Sequence, residues 1–101
     1  MLELRPSCEH CGRALPPDAL DARICSFECT FCARCTDEEL LGVCPNCLGE
    51  LVPRPVRPAA TLATSPASTD EVRSEVDVVA HRARLAARST AEDHTGTVLR
   101  R

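Results

Sequence analysis

The chain has 101 residues, room for one domain at most. Its only aromatic residues are Phe27 and Phe31, with no Trp and no Tyr, so a cysteine-rich segment of this size cannot be held by an ordinary apolar core. Residues 1–52 carry nine acidic against four basic side chains, a formal −5, and residues 53–101 carry eight arginines against six acids, a formal +2; this argues against a nucleic-acid or polybasic membrane-binding footprint.

At the N-terminus, Met1-Leu2-Glu3-Leu4-Arg5-Pro6 shows no charged segment leading into an apolar run. No stretch approaches the ~18 apolar residues of a membrane span. The expected compartment is therefore the cytoplasm, where thiols stay reduced and clustered cysteines read as metal ligands rather than disulfides.

All eight cysteines fall between Cys8 and Cys47: Cys8-x2-Cys11, thirteen residues, Cys25-x3-Cys29-x2-Cys32-x2-Cys35, eight residues, Cys44-x2-Cys47. Two cysteines separated by two residues can place both sulfurs on one side of a tight turn and supply half a tetrahedron. Four pairs amount to two zinc ions per chain, each with four thiolates and no open position. Closed sites are structural, which argues against a metalloenzyme and leaves no catalytic residue to name. Gly12 stands directly after Cys11, where a zinc knuckle often needs a positive φ; Gly49 is displaced by one residue from the equivalent place after Cys47. His10 reads as a turn histidine, since the cysteines already saturate two ions. His81 and His94 have no partners at ligand spacing.

Between the pairs, Ala22-Arg23-Ile24-Cys25-Ser26-Phe27-Glu28 is the best short-strand candidate. Thr36-Asp37-Glu38-Glu39-Leu40-Leu41-Gly42 reads as a short helix with a Thr36/Glu39 capping box and Gly42 as terminator. Two ligand groupings are open. Sequential pairing joins Cys8, Cys11, Cys25 and Cys29. Interleaved pairing joins Cys8, Cys11, Cys32 and Cys35 in site 1 and Cys25, Cys29, Cys44 and Cys47 in site 2. The eight residues from Cys35 to Cys44 favour the second, because sequential pairing would fold a helix back inside one small loop.

The order pair, long loop, close pair, pair, short helix, Cys44-Pro45-Asn46-Cys47 resembles the RING finger over residues 8–47, with Phe31 just before the fifth ligand. The resemblance implies a cross-brace with the interleaved grouping. Cys29 departs from it, since RING fingers commonly carry histidine there. More closely, residues 1–58 resemble a small bacterial cysteine-rich family known only as a domain of unknown function. The similarity lies in Met1–Pro6, in Cys25-Ser26-Phe27-Glu28-Cys29-Thr30-Phe31-Cys32 and in Gly42-Val43-Cys44-Pro45-Asn46-Cys47.

Beyond the 1–52 module, residues 53–69 contain four prolines and no glycine, the composition of a semi-extended linker with no means of packing. In residues 70–88, Val72, Val76, Val79, Ala83 and Ala86 recur at helical spacing, with Ser68 and Glu71 as a capping box; residues 89–101 read as a disordered tail. Deleting residues 59–101 is accordingly expected to leave the module unchanged. The expected fold is a small zinc-stabilised α+β cross-brace with a short hairpin, one short helix and a flexible tail with a possible C-terminal helix. The expected role is a zinc-binding structural or interaction module with a protein partner and neither nucleic acid nor membrane. Two alternatives are a RING-type ubiquitin-ligase-like adaptor, which only Pro45 and Leu40/Leu41 fit, and a zinc-thiolate redox sensor.

Overall fold

The computed structural model describes residues 2–95, and side chains through residue 88. Strand β1 spans Ala22–Ile24 and β2 spans Thr30–Cys32. They pair antiparallel, Ala22 opposite Cys32 and Ile24 opposite Thr30. The strand expected over 22–28 is therefore the first arm of a hairpin. Its second half is the turn, reversed at Glu28, which adopts φ 69.

Helix α1 follows β2 without a loop, at Ala33–Glu38. This corrects the helix expected at 36–42. The Cys32 sulfur accepts the Cys35 amide and caps the helix, so the Cys32–Cys35 turn itself serves as the first turn and outcompetes the Thr36/Glu39 pattern. Leu41 at φ 57 and Gly42 at φ 80 then reverse the chain, and the Gly42 amide closes onto the Thr36 carbonyl at 2.8 Å. Phe31, Leu15 and Leu40 are fully buried among Cys8, Cys32, Cys35 and Cys44, with Ala22 and Leu51 completing the core.

The second half of the chain departs most from the expectations. Strand β3, Val52–Pro53, lies against β1 and makes the sheet order β2-β1-β3, so the boundary expected at 52/53 falls inside an element. Pro53 is tolerated because β3 is an edge strand. Residues 53–69 are not an unpacked linker. Arg54 is 4% exposed and its guanidinium donates to the carbonyls of Arg5, Leu15 and Pro16. Arg57 donates to the carbonyls of Leu2 and Ser65. Helix α2, Ala59–Leu62, follows, and the Ser68 amide bonds the Leu4 carbonyl at 3.0 Å.

The helix expected at 70–88 is displaced. Residues 70–77 are extended, and α3 runs Val78–Thr95. Val72 and Val76 fit an alternation with Val78 as well as a helical spacing with Val79: Val72, Ser74, Val76 and Val78 face inward and their neighbours outward. The Asp77 carboxylate accepts the Ala80 amide at 3.0 Å and starts α3, while Ser68 instead receives the Asp70 amide. The tail expected at 89–101 is helical to Thr95; residues 96–101 lie outside the described residues. Val76 packs against the core cluster, so this arm is attached to the module.

Candidate metal centre

Three structural facts bring the cysteines together. The hairpin carries Cys25 and Cys29 at its turn and Cys32 at the end of β2. Helix α1 places Cys35 one turn beyond Cys32. The Ser7↔Ala14 and Val43↔Glu50 bridges close the outer pairs into hairpin-like knuckles. All eight thiols are free. The sulfurs of Cys8, Cys11, Cys32 and Cys35 all lie within 4.8 Å of one another, and so do those of Cys25, Cys44 and Cys47. Cys29 stands outside that mutually close trio. Its sulfur neighbours Cys25 and Cys44 and receives the Asn46 Nδ2 donor at 3.5 Å. The one-residue-longer Cys25-x3-Cys29 spacing, turned at Glu28, sets this offset. The two groups share chain segments in cross-brace order.

The donor set suits a soft, tetrahedral cation. Corners of a tetrahedron with ~2.3 Å metal–sulfur bonds are ~3.8 Å apart. The Cys11 and Cys32 sulfurs stand 3.8 Å apart. Backbone amides already point at the sulfurs: Cys11 to Cys8 and Cys35 to Cys32 in the first group, at 3.5 Å each. In the second group Phe27 donates to Cys25 at 3.3 Å, Asn46 to Cys44 at 3.4 Å and Gly49 to Cys47 at 3.4 Å. Arg34 adds a donor to Cys35 at 3.8 Å. Such donors favour thiolates and spread the negative charge of a four-thiolate complex.

The knuckle turns carry the backbone cost. Gly12 takes φ 82 after Cys11, and a side chain there would also meet Arg73 at 3.0 Å. The equivalent place after Cys47 is held by Leu48 at φ 63, not by Gly49, so a branched residue bears the left-handed turn.

Protonation follows environment. Burial pushes the thiols of Cys35 and Cys44 well above the ordinary cysteine range, so a proton stays on each until a metal displaces it. Burial also acts to raise Cys11, but the Arg13 amide and the Cys8, Cys35 and Cys32 sulfurs outweigh it and bring Cys11 down to about 7. Cys11 is also the exposed member of its group.

Four further residues organise the site, and none was assigned a structural role from the sequence. Glu9, between the first two cysteines, is 1% exposed. Its carboxylate accepts the Thr30 amide at 2.7 Å, the Arg5 guanidinium at 2.5 Å and the Ser74 hydroxyl at 2.8 Å. Arg73 donates to the carbonyls of Glu9 and His10. His81, which has no partner at metal-ligand spacing and lies in neither cysteine group, is fully buried with Nε2 at 2.9 Å from the Leu40 carbonyl. Asn46 is the fourth. His10 stands 2.6 Å from a Glu39 carboxylate oxygen, outside both cysteine groups. An acidic residue inside a Cys-x2-Cys turn was the one visible signal for Glu9; the arm residues carried none.

Fold and site together define a small α+β protein whose two cysteine groups are able to hold metal ions. The chain belongs to the family described as protein of unknown function DUF1272, whose model matches residues 1–57. An uncharacterized protein of Rhizobium meliloti (strain 1021) is 65% identical over 72 residues, 71% of this chain and 86% of the relative. Those 72 residues outnumber the 57 of the family match, so the similarity to this relative extends beyond residues 1–57. No solved structure matches the chain. No helix among the described residues is long and apolar enough to cross a membrane.

Proposed function

We propose that the protein is a zinc-stabilised interaction module without catalytic activity. It holds one ion on Cys8, Cys11, Cys32 and Cys35 and a second on Cys25, Cys29, Cys44 and Cys47. The observation that carries the reading is the convergence of four free sulfurs from two remote segments to within 4.8 Å. A thiolate-only, tetrahedral set selects zinc or an iron–sulfur centre, and colourless protein distinguishes zinc. Four protein ligands leave no position for a reacting water. Free thiols fit a reducing compartment such as the cytoplasm.

The surface supports a protein partner. Leu20 and Phe27 are 85% and 72% exposed on the acidic module, and Val79 is 79% exposed on α3. A RING-ligase-like docking face is less well supported, because Leu40 is fully buried in the core and of the Leu40/Leu41 pair only Leu41 is exposed.

Elemental analysis and native mass spectrometry of protein purified without chelator should give two zinc ions per chain. One ion with four titratable thiols would refute the two-centre reading. Strong chelator should abolish NMR shift dispersion over residues 8–47, since structural zinc contributes ~10 kcal/mol or more to folding.

A further inference from the structure

The extended arm meets both cysteine groups at one residue. The Ser74 amide donates to the Glu9 carbonyl at 2.8 Å, and the Ser74 hydroxyl donates to Glu9 Oε1 at 2.8 Å. Its hydroxyl oxygen accepts from Asn46 Nδ2 at 3.3 Å, and the same Nδ2 group donates to the Cys29 sulfur at 3.5 Å. The proton assignments are consistent: Glu9 accepts, Ser74 donates once and accepts once, and Asn46 spends its two N–H groups on Ser74 and Cys29. Glu9 is fixed in turn by Arg5 and by the Thr30 amide of β2. The relay runs from the first knuckle through the arm to Cys29, the member of the second group that the backbone amides do not serve.

We propose that Ser74 is a positioning residue for the second metal centre, and that arm docking and metal retention there are coupled. This rests on the zinc reading above. The Asn46 amide holds Cys29 towards Cys25 and Cys44, and Ser74 holds the Asn46 amide. Partners one bond removed from a metal ligand affect affinity by roughly 10-fold to 100-fold when lost. Coupling is reciprocal, so the metal at this centre tightens the arm by the same factor. The relay starts at Glu9 in the first knuckle, but the sulfurs of the first centre take their own donors from Cys11, Cys35 and Arg34, and none of these is bonded to Ser74 or Asn46.

The test uses the full chain loaded with cadmium-113, which gives one resonance per centre, assigned through coupling to the cysteine β protons. Ser74→Ala is expected to shift the resonance coupled to Cys29. It should weaken metal affinity at that centre roughly 10-fold and affect the first centre much less, because there Ser74 bonds Glu9 and no group that donates to a sulfur. Ser74→Thr keeps the hydroxyl and should restore both. Asn46 is exposed, so Asn46→Ala leaves the fold standing; it should reproduce the Ser74→Ala loss without adding to it and should speed exchange of the Ser74 amide. Equal loss at both centres, additive variants, or wild-type affinity in Ser74→Ala would overturn the inference and leave the two-zinc reading intact. A wild-type chain that binds no metal would overturn both.

Discussion

Arg54 tests whether the proline-rich segment is part of the fold. Its guanidinium is buried and donates through Nη1 to the Arg5 carbonyl at 2.9 Å. Nη2 donates to the carbonyls of Leu15 and Pro16 at 3.2 and 2.8 Å. Burial lowers its pKa and the charge of Asp21 opposes that, so the cation is held by carbonyl dipoles more than by a counter-charge. Hydrogen bonds to a charged group contribute ~1.5–3 kcal/mol each, and the burial of the cation offsets several kcal/mol of that sum. Arg54→Met removes both the bonds and the buried charge but strands three carbonyls, for a net loss of about 3 kcal/mol. Arg54→Lys keeps the charge on a compact head that reaches Leu15 and Pro16 but not Arg5, for a loss of about 1–2 kcal/mol. Urea denaturation of the zinc-loaded chains, with zinc content verified equal, measures both. Arg54→Met within 1 kcal/mol of wild type, or a lysine variant worse than the methionine one, would refute the argument that carbonyl satisfaction fixes this segment.

Gly42→Ala should cost about 1 kcal/mol in thermal denaturation, from the φ 80 backbone alone, because nothing lies within 4 Å of the added carbon. Gly12→Ala should cost more, since it also displaces Arg73 from the knuckle. Glu9→Gln should destabilise by about 1–3 kcal/mol and abolish the chemical-shift signature of the docked arm, because the neutral amide weakens the bonds from Arg5 and Thr30 and turns a donor on Ser74. Deleting residues 59–101 should lower the melting temperature by about 10 °C, the shift that ~2 kcal/mol gives a domain of this size. An unchanged melting temperature would mean that Val76 and His81 only rest on the module.

The metal-competent half of this protein was legible because ligand spacing is a chemical constraint that local sequence must satisfy. A pair of cysteines two residues apart has few ways to present both sulfurs inward, and four such pairs leave few arrangements. The arm was illegible for the opposite reason. Val72, Val76 and Val79 satisfy a helical period, and Val72, Val76 and Val78 satisfy an alternation, so periodicity could not decide. The decision came from Ser74 and Val76 meeting Glu9 and the core cluster, contacts with residues more than sixty positions away in the case of Ser74. Pro53, Pro55 and Pro58 suggested an unpacked spacer. Composition does not record that an edge strand needs no amide from Pro53, or that Arg54 supplies donors in place of those the prolines lack.

The arginines connect these observations. The module is mostly loop and turn, so many backbone carbonyls near the cysteine groups have no helix or sheet partner, and buried carbonyls must be paired. The second half of the chain pairs them with side chains: Arg54 on Arg5, Leu15 and Pro16, Arg73 on Glu9 and His10, Arg82 on Glu38 and Glu39, Arg88 on Leu48. An arginine fork reaches two or three carbonyls at once, where a lysine head offers a compact point charge. All twelve basic residues of the chain are arginine and none is lysine; Arg54, Arg57, Arg73, Arg82 and Arg88 spend their donors on backbone carbonyls, whereas Arg5, Arg13 and Arg34 pair with carboxylates. The mild positive charge of residues 53–101 is therefore not a diffuse surface property: a large share of it is spent as hydrogen-bond donors on the loops that carry the cysteines. In the proposed zinc-loaded protein, metal and arginines close the same small module from two sides, the metal joining its sulfurs and the arginines satisfying the backbone that presents them.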